Sequence, residues 1–308
     1  MELTEEKRRE SARHALDGLS VGDAFGQGFF VNPAMVDGLI AERALPPPPW
    51  RWTDDTEMAL SVVAILRRYG AVNQDRLASS FARRYDYHRG YGPAMHGLLE
   101  HIRAGAPWQR EAGALFEGQG SWGNGAAMRV APLGAYFADD PARAAEEAHR
   151  QAVVTHAHPE AATGAIAVAV AAAYARQLHG TADVPRGAAF LALVLPHVPE
   201  GMVASRLRRA QALTPTTPLA TAVSVLGNGS LVSAHDTAPF ALWCAARHLD
   251  DYEEALWLTV GGLGDRDTTC AIVGGIVACY TGSAAIPPAW RDAREPLPPW
   301  PFEDKGDR

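Results

Sequence analysis

Residues 51–56 read Arg51-Trp52-Thr53-Asp54-Asp55-Thr56, and Met58, Val62, Ile65, Leu66 and Tyr69 follow at helical spacing before Gly70. The period and the glycine stop predict a helix that opens on carboxylates. A second stretch of the same kind lies far along the chain: Gly261-Gly262-Leu263-Gly264-Asp265-Arg266-Asp267-Thr268-Thr269, again just ahead of an apolar helical segment. Neither stretch contains Cys or His. Oxygen-only clusters suit Mg²⁺, Mn²⁺ or Ca²⁺ rather than zinc. Helix capping accounts for part of the pattern, because Asp and Thr are favoured N-caps and acidic groups complement the helix dipole. One cap needs one such residue, and four aspartates in two tight groups would repel one another without a cation. Both readings stand at this point.

Outward from these stretches the chain reads as helices and loops. Thr4 caps a first helix that runs through Gly18, Gly22 and Gly26, a small-residue face at four-residue steps for close packing. Asp23 sits inside that face, where a carboxylate is hard to explain. Residues 27–50 lack a period and end in Pro46 to Pro49, which predicts a loop or flap rather than a helix. A helix is expected over 73–85. Tyr87-His88-Arg89-Gly90-Tyr91-Gly92-Pro93 is a glycine-rich turn that opens another helix, a place where backbone N–H groups can hold phosphate.

The segment Gly118 to Gly125 is too rich in glycine for a helix, and Asn124 between two glycines suits positive φ with its amide offered to a ligand. Met128 onward is helical until Pro132 and Gly134. His156 and His158 are two apart and point to opposite sides of an extended segment, ahead of an alanine-rich helix over 160–177. Residues 180–218 are helical pieces broken by prolines. Further helices are expected at 238–248, at 250–260 and from about 267, and the proline-rich tail from about 287 is expected to lie loosely. No stretch alternates cleanly enough for a strand, and no linker divides residues 1–308. The expectation is one all-α domain.

Composition narrows the function. Hydrophobic residues make up 47% of the 308, enough for a large core, and the net charge is −7 with no long basic run. Nucleic acid is therefore not an expected partner. Three cysteines without metal spacing, and an acidic start without an apolar signal core, fit a reducing cytoplasm. The most apolar run, 164–174, is too short to cross a membrane, so no membrane association is expected.

Five motifs in order carry a resemblance: Gly18-x3-Gly22-Asp23-Ala24-x-Gly26, Trp52-Thr53-Asp54-Asp55-Thr56, Arg89-Gly90-Tyr91-Gly92, Gly123-Asn124-Gly125-Ala126-Ala127-Met128-Arg129 and Gly264-Asp265-x-Asp267-Thr268. Over about residues 12–285 the chain resembles the ADP-ribosylglycohydrolases. The resemblance implies a single all-α domain and a centre of two Mg²⁺ or Mn²⁺ ions. Its ligands would be Thr53, Asp54, Asp55, Asp265, Asp267 and Thr268, with waters and substrate hydroxyls completing the shells. Asp54, Asp55 and Asp265 would be the catalytic carboxylates. Arg89, Gly90, Tyr91 and Gly92, with Ser121, Gly123, Asn124, Gly125, Met128 and His156, would bind the substrate, an ADP-ribosylated protein or other ADP-ribose conjugate. Residues 227–243 would border the adenine, and Asp86 is a candidate acid near the leaving group.

The chain departs from that family at two places. Arg266 stands where Thr is common, and the segment after Gly26 has Phe29 and Phe30 where the serine-specific branch has a glutamate. That departure favours an arginine-linked substrate over a serine-linked one. Two other readings compete. A metal phosphohydrolase would be built on His235-Asp236, and a non-catalytic binding protein would have lost metal ligands, whereas all six are present.

Overall fold

In a computed structural model, residues 3–303 other than 182 are described. The fold is organised by two helices from opposite ends of the chain. The first, Glu5–Gln27, starts where Thr4 Oγ1 accepts from the Lys7 N–H, with Glu5 and Glu6 in its first turn. It lies against the Arg266–Thr281 helix, and the small-residue face explains how closely. A Cβ on Gly18, Gly22 or Gly26 would stand 2.3, 2.2 or 2.2 Å from the carbonyl oxygens of Gly274, Cys270 and Arg266. Numbers rise on one helix as they fall on the other, so the pair is antiparallel, and its four-residue steps match turn for turn. From the partner side, a Cβ on Gly274 would stand 2.4 Å from the Gly18 carbonyl oxygen.

Gly22→Ala is therefore expected to push two helix backbones apart. Overpacking of this kind costs about 1–3 kcal/mol or more, so the melting temperature should fall by several degrees. Gly97→Ala is the control, because a Cβ there meets nothing within 4 Å. It should be neutral or slightly stabilising, since Ala is the better helix former. A Gly22→Ala protein that melts with the parent would refute the close packing.

The Pro159–Gln177 helix is buried on nearly every side, and its alanines let neighbours approach. A helix apolar all round belongs in a core. Around it pack Pro141–Ala152, Ala131–Tyr136, Ala234–Arg247 and Arg266–Thr281. Helix Asp54–Tyr69 ends as its spacing predicts, with Gly70 left-handed at φ 67° and its N–H bonded to the Leu66 carbonyl. Among the described residues there is no strand, only the isolated bridges Trp50 to Arg294 and Gly123 to Ser233. The three cysteines are buried and free. Among the described residues no helix is long and apolar enough to cross a membrane.

The fold corrects four expectations. Residues 27–50 are not all loop: Pro33–Ala41 is a helix capped by Asn32, whose side chain accepts from the Ala34 N–H at 3.0 Å. Asn before Pro at the first helical position is a start signal. Pro132 likewise opens the Ala131–Tyr136 helix instead of ending one. The helix expected from 238 begins at Ala234 and carries Pro239 inside. The carbonyl that Pro239 leaves without a helical donor is that of His235, and Arg206 Nη1 donates to it at 2.7 Å.

The fourth correction concerns the tail, which is pinned through residue 303. The Trp50 N–H donates to the Ala293 carbonyl at 2.7 Å, and the Glu295 N–H to the Trp50 carbonyl at 2.8 Å. Trp290 is buried and stacks on Phe25 at 4.5 Å. Arg84 lies 4.1 Å from the Trp300 ring centre and Arg13 4.0 Å from that of Phe302. Composition suggested looseness, but each of these partners is distant in sequence.

Candidate metal centre

The antiparallel pair brings the start of the Arg266–Thr281 helix beside the end of the first helix, and the start of Asp54–Tyr69 meets them there. Asp23 explains the meeting. Its carboxylate, fully buried, accepts from the Thr53 N–H (2.9 Å), Thr53 Oγ1 (2.9 Å), the Thr56 N–H (3.2 Å) and Thr56 Oγ1 (2.5 Å). It holds the 53–56 turn against the first helix. Burial pushes the Asp23 carboxyl up to about 6, against the pull of the hydrogen bonds from Thr56 and Thr53.

Thr53 also reaches Asp55 Oδ2 at 3.0 Å, so its one hydroxyl proton faces two carboxylates and serves only one of them. Thr268 Oγ1 lies 3.5 Å from the same Asp55 oxygen. The other Asp55 oxygen, Oδ1, is buried without a hydrogen-bond partner. Asp267 Oδ1 accepts from the Thr268 N–H at 2.9 Å. Carboxylate oxygens of Asp23, Asp55 and Asp267 lie within 4.8 Å of one another. Burial first, and negative neighbours second, drive the carboxyls of Asp54, Asp55 and Asp267 well above the ordinary range. Crowded, oxygen-only donors with one orphaned oxygen fit hard divalent cations. The positive ends of two helices offset only part of this charge.

Asp265 occupies the N-cap position of its helix, yet its side chain makes no capping bond. Asn124 Nδ2 donates to Asp265 Oδ2 at 2.7 Å and lies 3.0 Å from Thr237 Oγ1. Asn124 thus orients a site carboxylate, and the expected positive φ is wrong: it has φ −79°, while Gly118 and Gly120 carry the left-handed turns at 85° and 75°.

His156 lies under the Gly123 to Gly125 turn. A Cβ on Gly123 would stand 3.2 Å from its Nε2, and one on Gly125 2.8 Å. Arg129, fully buried, donates to Thr155 Oγ1 at 2.9 Å, and Thr155 Oγ1 lies 2.7 Å from His156 Nδ1. Thr155 Oγ1 thus links the Arg129 guanidinium to the imidazole, and leaves Nε2 on the side of the glycine turn. Burial, then the Arg129 charge, lowers the His156 pKa to about 3, so it is neutral. His158 is the capping histidine, its Nδ1 accepting from the Glu160 N–H at 3.1 Å. Ser121 Oγ accepts from the Gly123 N–H at 3.2 Å, and Met128 is buried in the one-turn helix that follows.

The 89–92 turn divides its labour. Gly90, at φ 88°, faces the cluster: a Cβ on it would lie 3.9 Å from Asp54 Oδ1. Gly92 is open, with nothing within 4 Å of a Cβ. Tyr91 donates instead to Glu57 Oε2 at 2.6 Å, and the Arg89 guanidinium is taken by Glu295 and the Trp52 carbonyl. Asp86 caps this turn, its Oδ1 accepting from the His88 N–H at 3.0 Å.

On the far rim the 227–233 loop wraps the 261–265 loop, with the Asp265 N–H donating to the Asn228 carbonyl at 3.2 Å and Asn228 Nδ2 to the Gly262 carbonyl at 2.8 Å. His235 and Asp236 do not form a separate metal site: Asp236 accepts from the Leu231 N–H at 3.0 Å and lies 3.4 Å from Arg206. Trp122, Leu231 and Val232 stay exposed, and the Val232 carbonyl accepts from the Asn124 N–H at 3.3 Å.

Sequence reading did not assign Asp23 and Thr56 to the site, nor Asn124 its orienting role. The one available signal was a carboxylate inside a small-residue helix face.

The ADP-ribosylglycohydrolase family profile matches residues 4–303. The mouse protein named ADP-ribosylhydrolase ARH3 is 30% identical over 79% of this chain and 73% of its own length. A Pseudomonas putida protein named ADP-ribosylarginine hydrolase Tri1 is 24% identical over 94% of this chain and 75% of its own length. A solved structure titled ADP-ribosylglycohydrolase-related protein complex superposes with a TM-score of 0.62 at 28% identity, covering 94% of each chain.

Proposed function

The chain belongs to the ADP-ribosylglycohydrolase family, and from that premise we propose a divalent-cation-dependent hydrolase that releases ADP-ribose from protein side chains, arginine before serine. The observation that carries the reading is the convergence of Asp23, Asp55 and Asp267 oxygens at two helix starts, with Asp55 Oδ1 buried and unpartnered. Thr53, Asp54, Asp55, Asp265, Asp267 and Thr268 would hold the cations, with Asp23 fixing the turn from behind. When bound, Mg²⁺ or Mn²⁺ supplies Lewis acidity toward sugar hydroxyls and water.

The remaining work falls to the chain. Asp55 takes the proton of the attacking water. A bond forms from the water oxygen to the anomeric carbon as the glycosidic bond breaks, through an oxocarbenium-like state. The proton that Asp55 takes passes to the leaving nitrogen or oxygen, so the two hydrogens of the water end on the new anomeric hydroxyl and on the leaving group. Gly90 and Gly92 let the diphosphate approach the backbone without a side chain between. His156, neutral, places Nε2 beside the Gly123 turn. Trp122, Leu231 and Val232 give the adenine an apolar wall.

Two observations support arginine. The site gathers the carboxylates of Asp23, Asp55 and Asp267, whose charge favours a cationic guanidinium. The relative named for that bond aligns over 94% of the chain. Of the two phenylalanines, Phe30 alone is exposed, with the Arg266 guanidinium 4.4 Å from its ring centre, while Phe29 is buried against Phe25 and Trp257. Peptides carrying ADP-ribosyl-arginine and ADP-ribosyl-serine at matched concentrations, followed by mass spectrometry, decide the matter. Faster arginine release is expected. Equal or faster serine release refutes the preference, and no release from either refutes the hydrolase reading.

A further inference from the structure

The C-terminal segment reaches back to the site through one guanidinium. Pairing of residues 293–295 with Trp50 sets Glu295 opposite Arg89. Glu295 accepts from Arg89 Nη1 at 2.8 Å and from Nη2 at 2.9 Å. Arg89 Nη1 also donates to the Trp52 carbonyl at 2.9 Å, and its guanidinium carbon lies 3.4 Å from the centre of the Trp52 ring. Trp52 immediately precedes Thr53, and Arg89 immediately precedes Gly90. One side chain therefore ties together the metal-binding turn and the glycine-rich turn.

The glycine-rich turn has a second tether. Glu57 Oε2 accepts from Tyr91 Oη at 2.6 Å and from the Asp86 N–H at 3.1 Å. Behind the turns, a cavity of about 410 Å³ is lined by Trp52, Glu57, Arg89, Glu295 and Trp300 among others. Protein packing alone thus does not fix Arg89 from that side. A free arginine is long and rotatable, and a bidentate carboxylate removes that freedom by geometry.

We propose that Glu295 is a positioning residue of the active site: by clamping Arg89 it sets the spacing between the Thr53 to Asp55 turn and the Gly90 to Gly92 turn. Its consequence for catalysis rests on the functional reading above, but the clamp itself is measurable without it. Both partners are partly open to solvent, with side-chain exposures of 17% for Arg89 and 30% for Glu295. Pairs so placed add little to stability, which makes spacing the property to measure.

The test compares Glu295→Ala and Glu295→Gln with Trp300→Ala, a change on the same segment whose ring stacks on Arg84 and not on Arg89. Amide exchange is read by mass spectrometry on peptides covering 50–57 and 86–95 in EDTA, and Mg²⁺ affinity by calorimetry. For Glu295→Ala, exchange in both peptides should rise severalfold and Mg²⁺ affinity should fall severalfold. Glu295→Gln should restore part of both. Trp300→Ala should leave both near the parent values even if it melts earlier. Unchanged exchange in Glu295→Ala, or an equal rise in Trp300→Ala, overturns the proposal. A parent protein that binds no Mg²⁺ defeats the metal-centre reading, while the exchange data still decide the clamp.

Discussion

Asp55→Asn is expected to abolish hydrolysis while making the cation-free protein harder to melt. The loss follows from two duties on one carboxylate, cation binding and proton acceptance. Removing a general base alone lowers rates by roughly 10²–10⁴-fold. The gain follows from the crowding. Burial and the charges of Asp23 and Asp267 hold the Asp55 carboxyl well above its ordinary range, which means that its ionised form is disfavoured in the fold. Asparagine keeps the shape and drops the charge, so the melting temperature in EDTA should rise. Such an exchange of stability for function is common at active sites. Asp265→Asn should also lose activity, and it further disturbs the bond from Asn124. The measurements are single-turnover release and melting in EDTA and in Mg²⁺. An Asp55→Asn protein that hydrolyses at the parent rate, or that melts several degrees below the parent in EDTA, would remove Asp55 from this role.

Chelation should make the protein sensitive to pH in the direction opposite to that of ordinary acid denaturation. Burial raises Glu57 to about 7 and lifts Asp54, Asp55 and Asp267 well above their usual range. A carboxyl with a raised folded pKa keeps its proton in the native state after the unfolded chain has lost it. The native state then binds more protons, and stability falls as pH rises. His156 works the other way, because its pKa falls from 6.5 to about 3, but its contribution is complete once pH passes 6.5. His235 and His248 are also lowered, with the same upper limit of 6.5. Arg129, lowered to about 9, enters only above the chosen range. Between about pH 6.5 and 8 Glu57, at about 7, and the other raised carboxyls act with little opposition, so the melting temperature in EDTA should fall as pH rises. Saturating Mg²⁺ should flatten or reverse that slope, because cations bind the deprotonated ligands. The gap between the two curves should widen with pH. Parallel curves would show the carboxylates to be ordinary solvated acids.

The parts of this protein that were legible in its sequence are those set by near neighbours. Thr53 ahead of an apolar period and Gly70 behind it announce the Asp54–Tyr69 helix, because caps and stops act within a turn. The four-residue steps of Gly18, Gly22 and Gly26 announce a close partner, though not which one. What stayed hidden depends on residues that meet only after folding. Asp23 bonds residues 30 and 33 places on, and Asn124 reaches Asp265 across 141 places. Arg206 fills the gap left by Pro239 from another helix. Glu295 lies in the proline-rich tail, and its partner Arg89 stands 206 places away. The aspartates could be found because their crowding is visible in the chain itself, whereas their orientation is set by tertiary partners that leave no local pattern.

The antiparallel pair of first and last long helices also fixes when the protein becomes competent during its synthesis. Asp23 emerges first, and Asp267 follows only after residues 24–266 have been translated. At roughly 5–20 residues per second the first helix waits on the order of 10–50 s for its partner. During that interval its glycine face lies uncovered, and the carboxylates cannot gather. A ribosome stalled anywhere before residue 266 therefore carries a chain that folds in part and cannot assemble the acidic centre.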